Sequence, residues 1–455
     1  MRVTSNDILK GPINPTLRRM TGPMVVGILF TMLFQAVDTF FISKLGTVEL
    51  AAISFTFPVT FTMLNLVIGL GIAMSIIVGQ AIGQGRMNKA ARITTESMIL
   101  TIAVTFALAM AGLASIDVLF TWLGADAQTL TFIHDYLDVW FLFSLLLAVP
   151  LLCNSAIRAT GDTKWPSILM MISGFVNVVL DPVFIFGFGP VPAMGMAGAA
   201  WATVASWVFA SSAALYLLVV REKLLVFSLP PLSEAMDVWR QLVRLAAPIC
   251  LANMLGPIAA GALTAIVAQF GQSAVAAFGV GARVEAFTLV VAFAITAALS
   301  PYMSQNLGAG QTTRALRALR NCAKFVLVFQ LVVYALQFLA APMIAGWFST
   351  DPEVLPVAVL YMRIMPIGVV CYAVIVVINT AFNAHQQSGR TLSMSLLRVG
   401  LFVVPLSWLG ARVYDLVGLF GGAVVGSLLG LFAVLMSYRQ MLAQNQAARS
   451  RGASS

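Results

Sequence analysis

The chain has 455 residues, of which 60% are hydrophobic and 9% charged, with a net charge of +9 and a mean hydropathy of +0.95. Soluble globular proteins do not carry this much apolar surface, so the composition excludes them and indicates an all-α polytopic membrane protein. The first twenty residues are polar and basic, which excludes a signal peptide and favours a cytoplasmic tail or an interfacial helix.

Twelve apolar runs are long enough to cross a bilayer, which takes about 20 residues. They lie near 21–42, 52–80, 93–116, 131–157, 166–188, 195–220, 244–269, 274–305, 318–343, 355–383, 392–411 and 416–438. We therefore predict an N-lobe of six spans over 21–220 and a C-lobe of six spans over 244–438. A polar cytoplasmic linker over 221–243 joins the lobes, and a tail over 439–455 ends the chain.

Basic residues predict the orientation of these spans. With the N-terminus inside, every lysine and arginine falls in a cytoplasmic segment except Lys44, Arg412, Arg283 and Arg363. This asymmetry follows the positive-inside rule and predicts cytoplasmic termini. It also accounts for the net charge without a nucleic-acid partner.

The chain repeats itself at an offset of 225 residues. The matched pairs include Arg19 with Arg244, Pro23 with Pro248, Gly46 with Gly271, Gln80 with Gln305, Gly83 with Gly308, and Asn154 with Asn379. Because each half holds an even number of spans, both halves insert the same way round, an arrangement typical of secondary transporters.

Two carboxylates lie inside the spans of the first half. Asp38 and Asp181 each precede the outer end of their span by about six residues, which places both roughly 9 Å deep. Asn177 is one helical turn from Asp181, and Thr203 of the sixth span lies at a similar depth. A charge at the centre of a span costs roughly 2.5–3.5 kcal/mol, so lipid-facing positions are disfavoured and we expect these groups to face one another.

Two interpretations of this group stay open, a structural hydrogen-bond cluster and a proton or small-cation site. Pro182 favours the second, because a proline lacks the N–H that the Val178 carbonyl would otherwise accept. The second half has Leu263 in the place of Asp38 and no acid in its eleventh span. Chemistry confined to one copy of a repeat is what we expect of a coupling site.

A third intramembrane carboxylate, Glu285, lies two residues from Arg283 in the eighth span. These two side chains point in different directions on a helix. Arg363 of the tenth span is the candidate partner of Glu285, either as a structural ion pair or in a substrate or gating role.

Other chemistry is not indicated. The four cysteines have no metal-ligand spacing and read as packing residues. GQAIGQGR lacks the lysine of a phosphate-binding loop, and His134 and His385 stand alone. We therefore predict neither an enzyme, nor an ATP-driven pump, nor a bound cofactor.

The whole chain resembles the multidrug and toxic compound extrusion (MATE) family. The resemblance rests on the twelve spans, the paired VGQAIGQGR and SQNLGAGQ segments, Asp38, and NVVLDPVFIFG followed by GMAGAAWAT. The intramembrane Asn-x-x-x-Asp-Pro pattern is similar to that of the DinF-like branch. The resemblance implies a V-shaped pair of six-helix lobes that exports amphipathic, often cationic drugs, dyes and toxins in exchange for H⁺ or Na⁺.

The resemblance also implies roles for particular residues. Asp38 and Asp181 match the coupling-ion aspartates, and the same site, including a Na⁺ site if one exists, would use Asn177, Thr203 and the carbonyl of Ala199. The matching substrate contacts are Asn154, Asp38 and Asn177, and the matching conformational residue is Pro23. Phe34 replaces a tyrosine seen in archaeal members, and the acids of a C-lobe Na⁺ site have no match.

We therefore expect a monomeric multidrug antiporter of the bacterial inner membrane, coupled to H⁺ or alternatively to Na⁺, that confers antibiotic resistance. One rival is a lipid-linked saccharide flippase of the same superfold, which would place basic residues in its central cavity. Another is a membrane scaffold or receptor, which would need no asymmetric buried carboxylates. A major-facilitator carrier also has twelve spans, but its loop signatures are missing here.

Overall fold

The computed structural model describes residues 3–227, 231–349 and 351–452, and these are almost entirely helical. The helices of the first half are α1 (Ser5–Lys10), α2 (Ile13–Ser43), α3 (Thr47–Gly83), α4 (Met87–Trp122), α5 (Ala127–Leu142), α6 (Leu145–Ala159), α7 (Lys164–Phe186) and α8 (Gly195–Tyr216). Those of the second half are α9 (Leu232–Val267), α10 (Gln272–Thr288), α11 (Val290–Gly308), α12 (Thr312–Phe348), α13 (Val354–Ile364), α14 (Pro366–Ala384), α15 (Ser388–Leu396) and α16 (Val404–Gly452).

The predicted apolar runs are almost entirely helical, and several are interrupted by a turn. Within the described residues, ten helices are long and apolar enough to span a membrane, or eleven if the pair α5 and α6, bent by 51°, is one span. The run over α15 and α16 has non-helical backbone at Tyr414 and Asp415, the place where two of the twelve predicted spans were separated. A bilayer needs only about 20 residues, so this long run has length for two passages.

The described residues form two compact units whose boundaries differ from the predicted lobes. Unit 1 comprises Met1–Cys250 and Ser304–Gln311, and unit 2 comprises Leu251–Met303 and Thr312–Ser455. The predicted linker is partly helical, because α9 begins at Leu232. Its indole-bearing Trp239 donates to the Glu96 carbonyl of α4 at 2.9 Å, which ties this part of α9 to unit 1.

The predicted N-terminal tail is folded onto unit 1. A reciprocal capping box between Thr4 and Asp7 starts α1, and its hydrogen bonds lower the pKa of the Asp7 carboxyl. Ile8 is fully buried. The Ser5 hydroxyl donates to Gln305 Oε1 at 2.8 Å, and Asn306 Nδ2 donates to the Ile8 carbonyl at 3.3 Å. A segment of the second repeat therefore completes the binding surface for α1.

Two glycines related by the repeat allow α3 and the end of α11 to touch. A Cβ atom on Gly83 would overlap the Gln305 carbonyl, and a Cβ atom on Gly308 would overlap the Gln80 carbonyl. The same segment is held further by Gln305 Nε2, which donates to the Ala159 carbonyl at 2.7 Å. Only hydrogen in place of a side chain lets these two backbones approach so closely.

The end of unit 1 where these contacts lie is its basic end. It carries Arg19, Arg86, Arg158, Lys164 and Arg221 at or near the helix termini. The buried carboxylate of Asp162 accepts a hydrogen bond from Arg221 Nη2 at 2.9 Å there. This ion pair joins the α6–α7 turn to the π-helical turn Leu217–Arg221 that follows α8.

Candidate functional site

Helix α7 packs along both α2 and α8, and small residues set these contacts. On the α2 side, the Phe34 ring covers Gly174, where a Cβ atom would overlap it. On the α8 side, Gly198 meets the Phe184 carbonyl with no room for a Cβ atom. Three helices thus approach closely enough for short polar side chains to reach one another.

The structure brings Asp38 of α2 and Asp181 of α7 side by side. The two carboxyl groups interact directly, and Asp181 is fully buried. Asp38 Oδ1 and Asp181 Oδ2 are buried atoms without a hydrogen-bond partner in the described part of the chain. Burying such an oxygen costs free energy unless it accepts a hydrogen bond or binds a cation.

Three further predicted residues complete the group. Asn177 Nδ2 donates to Asp181 Oδ1 at 3.2 Å and lies 3.5 Å from Thr203 Oγ1. The Thr203 hydroxyl donates to the Ala199 carbonyl at 3.0 Å. We call Asp38, Asn177, Asp181 and Thr203 the carboxylate cluster.

No basic side chain forms an ion pair with either aspartate within residues 3–227, 231–349 and 351–452. Two adjacent carboxylates repel strongly in a medium of low dielectric constant. Removing two negative charges from water without a counterion is more costly still. Ionising both carboxyl groups at once is therefore costly, and the arrangement is suited to sharing a proton or a small cation.

Tyr136 of α5 is a neighbour of the cluster that sequence reasoning missed. Its side chain is buried and lies within electrostatic range of both Asp38 and Asp181. The sequence offered one signal for Tyr136: it lies in a predicted span, between the acidic residues Asp135 and Asp138.

The remaining residues predicted for this site occupy different places. Pro182 follows Asp181 inside α7, and Pro23 lies inside α2 nearer the basic end. Asn154 of α6 is buried, and its Oδ1 has no hydrogen-bond partner among the described residues. The structure records no hydrogen bond between Asn154 and the carboxylate cluster, so its predicted contact with substrate stays a prediction.

Glu285 does not pair with Arg363 in the part of unit 2 that the structure describes. The Tyr361 hydroxyl lies beside the Glu285 carboxyl group instead. The Arg363 guanidinium lies over the Phe338 ring, 5.3 Å from its centroid, and Arg283 is exposed on α10. Helix α13 ends at Ile364, one residue beyond Arg363, and the exposed arginine packs there against an aromatic face.

Metal chemistry of the usual protein kind has no candidate among the described residues. No group of three or more histidine, cysteine or acidic side chains is arranged to hold a metal ion there. The cysteines Cys153, Cys250, Cys322 and Cys371 are free and buried, in accord with their predicted packing role.

The MatE family model matches this chain twice, over residues 23–183 and 248–409. The two matches begin at Pro23 and Pro248, which the sequence repeat also pairs. An FAD transporter of Shewanella oneidensis is 38% identical over 423 residues, covering 93% of each chain. The multidrug export protein MepA of Staphylococcus aureus is 21% identical over 435 residues, covering 94% of each chain.

Solved structures show the same fold. The Vibrio cholerae MATE transporter VcmN in its bent form superimposes with a TM-score of 0.89 at 30% identity, covering 97% of this chain and 98% of that one. A MATE structure in the straight conformation has a TM-score of 0.90 at 22% identity, covering 98% and 100%. The fold is therefore that of a known group of membrane transporters.

Proposed function

Since this chain belongs to the MatE family and is a multi-pass membrane transporter rather than an enzyme, we propose that it is an H⁺-driven exporter coupled through Asp38 and Asp181. The observation that carries the proposal is the pair of adjacent carboxyl groups, with Asp181 fully buried and Asp38 partly buried, that has no basic partner among the described residues. Their charge changes when a proton enters. A device that alternates between two states needs such a difference in affinity.

The coupling step follows from the charge of the cluster. With one carboxylate ionised, the cluster attracts an organic cation or holds its helices in one arrangement. A proton that enters from the side of higher H⁺ activity removes this charge, and Asn177 then has one fewer anionic acceptor. Helices α2, α7 and α8 meet at these groups, so protonation changes the contacts of three helices at once.

The hydrogen bonds favour H⁺ over Na⁺. A Na⁺ site would need several oxygen ligands, and the five predicted ones include Ala199 and Asn177. The Ala199 carbonyl already accepts from Thr203, and Asn177 presents its NH₂ group to Asp181. Two free carboxyl oxygens remain, which suits a shared proton better than a coordinated ion.

We propose amphipathic organic cations as the exported substrates. The name of MepA, a multidrug export protein of similar length, supports this class. Asp38, Asn177 and Asn154 are the residues of this chain proposed to contact such compounds. We also place the transporter in the bacterial inner membrane, as a monomer with both termini in the cytoplasm.

FAD is a second candidate substrate. The relative named an FAD transporter is 38% identical, against 21% for MepA. FAD is an anion, so its export would not use charge exchange with the carboxylate cluster. A lipid-linked saccharide flippase remains the third alternative, and its phosphate would need Arg283 and Arg363 of unit 2.

Purified protein in proteoliposomes tests these alternatives in one format. We expect efflux of a cationic dye under an imposed pH gradient, little efflux under a Na⁺ gradient alone, and loss of pH-driven efflux in Asp38→Asn and Asp181→Asn. Asp135→Asn, which removes an exposed carboxylate near Tyr136, is the matched control. Full pH-driven efflux in Asp38→Asn would refute the coupling site, and transport of FAD but not dye would replace the substrate class.

A further inference from the structure

A cavity of about 390 Å³ opens between α2 and α7 at the basic end of unit 1. The exposed side chains of Arg19 and Lys164 lie at its mouth, and the buried Asp162, Thr163 and Ser167 line it further in. The cavity lies at the end of α2 opposite to Asp38 and is separate from the carboxylate cluster.

The mouth of the cavity carries an excess of positive charge. The side chains of Arg19 and Lys164 are exposed and form no ion pair with any described residue. Asp162 does not neutralise them, because it is held by Arg221 at 2.9 Å and by the Lys164 and Trp165 amides at 3.0 and 3.3 Å.

One further acid lies in the neighbourhood. Asp7 is within longer electrostatic range of Arg19, and its carboxylate is engaged by Thr4. The mouth is therefore suited to an anion that approaches the two cationic side chains from outside.

The rest of the lining, which includes Val3, is apolar. Pro23 and Val26 of α2 face it from one side, and Ile168 and Met171 of α7 from the other. On a helix these positions lie one or two turns further into the span than Arg19 and Lys164. An occupant therefore meets cations at the membrane surface and hydrocarbon immediately below it.

We propose that this cavity binds the headgroup of an anionic phospholipid, of the phosphatidylglycerol type, from the membrane leaflet at the basic end. The phosphate lies between Arg19 and Lys164, and the first methylenes of an acyl chain lie along Val26 and Met171. Basic pockets between transmembrane helices recognise lipid phosphates by this combination of charge and depth. Soluble phosphate shares the charge but leaves the apolar wall uncovered.

The occupant touches α2 at Pro23, where the helix lacks a backbone N–H donor. A bound lipid thus stabilises the present contact of α2 with α7. Binding to the folded state raises stability as the ligand concentration increases relative to its dissociation constant. This effect does not depend on the proposed transport function.

The test uses the full-length protein in detergent, with dioleoyl phosphatidylglycerol or dioleoyl phosphatidylcholine added. We expect the anionic lipid alone to raise the thermal unfolding midpoint and to remain bound in native mass spectra. In the Arg19→Gln/Lys164→Gln variant, the phosphatidylglycerol concentration needed for half of the stabilisation should rise at least tenfold. Val26→Phe, which fills the wall and keeps both cations, should weaken it as well.

The matched control is Arg18→Gln/Lys89→Gln, which removes the same charge from exposed positions that do not line the cavity. It should respond to phosphatidylglycerol as the unmodified protein does. The proposal is wrong if the Arg19→Gln/Lys164→Gln variant keeps the full response, or if phosphatidylcholine stabilises equally. If glycerol 1-phosphate alone raises the thermal unfolding midpoint equally, the site binds a free phosphate and not a lipid.

Discussion

Replacing Gly83 by alanine should shift this transporter away from the conformation described here. The new Cβ atom would fall well inside 3.0 Å of the Gln305 carbonyl, a separation that real Cβ atoms essentially never reach. The obstacle is backbone, so no side chain can rotate away. Residues 304–311 would have to retreat from α3, or α3 from them.

The magnitude follows from the cost of overpacking, about 1–3 kcal/mol for a small-to-large change in a packed interior. A free energy of this size changes the ratio of two conformations by about 5- to 150-fold. Gly308→Ala should act in the same direction through the Gln80 carbonyl. The double variant should not be additive, because both changes are relieved by the same separation of helices.

Spin labels on cysteines introduced at Gln84 and Gln311 would report this separation. Both positions are exposed, and the four native cysteines are buried, so brief labelling selects the introduced pair. We expect Gly83→Ala to add a population at longer distance. Gly22→Ala is the control, because a Cβ atom there meets nothing within 4 Å.

Normal folding of both variants, with the distance distribution of the unmodified protein, would contradict this expectation. The same shift in Gly22→Ala would contradict it as well, since alanine in an open helical position should be neutral or favourable.

Three further predictions concern single contacts. Arg221→Gln should lower the free energy of unfolding by about 1–3 kcal/mol, because the buried Asp162 carboxylate loses a charged donor. Arg92→Gln, whose partner Glu234 is exposed, should cost less than about 1 kcal/mol, and equal thermal shifts would contradict this difference. Asn177→Ala should reduce pH-driven dye efflux by about tenfold at unchanged folded yield, because a hydrogen bond to a charged group contributes about 1.5–3 kcal/mol; an unchanged rate in proteoliposomes would assign Asn177 a packing role. Arg363→Gln should change the unfolding midpoint little, since its cation–π contact with Phe338 contributes about 0.5–1 kcal/mol at an exposed site; a large loss, rescued by Glu285→Gln, would restore the ion pair predicted from sequence.

Sequence reasoning located the carboxylate cluster because the bilayer makes polar groups conspicuous. Asp38 and Asp181 stood out by their cost in an apolar run, and helical spacing placed Asn177 beside Asp181. Tyr136 was missed because a tyrosine near the end of a span is ordinary. Its role as a neighbour depends on how α5 packs, which no local pattern reveals.

Some side-chain partners depend on packing between distant segments, and these could not be predicted from the sequence. Glu285 and Arg363 were paired by charge, yet in the structure Glu285 lies beside Tyr361, with its Oε1 atom lacking a hydrogen-bond partner among the described residues, and Arg363 lies over Phe338. The N-terminal residues read as a polar tail, but burial of Ile8 makes them part of unit 1. Hydropathy counts apolar runs and cannot show that residues 304–311 pack with the other half of the chain.

The reciprocal glycine contact has a consequence for the origin of the fold. Gly83 meets the chain at Gln305, and Gly308 meets it at Gln80, so each position touches the other's counterpart. This exchange of partners is the property of an isologous interface, in which one surface patch binds a copy of itself. In a homodimeric ancestor, one mutation of this glycine would have altered both symmetry-related copies of the contact. Fusion of the two copies into one gene frees each half to change alone, and the aspartates present in only one half show that the two halves now differ.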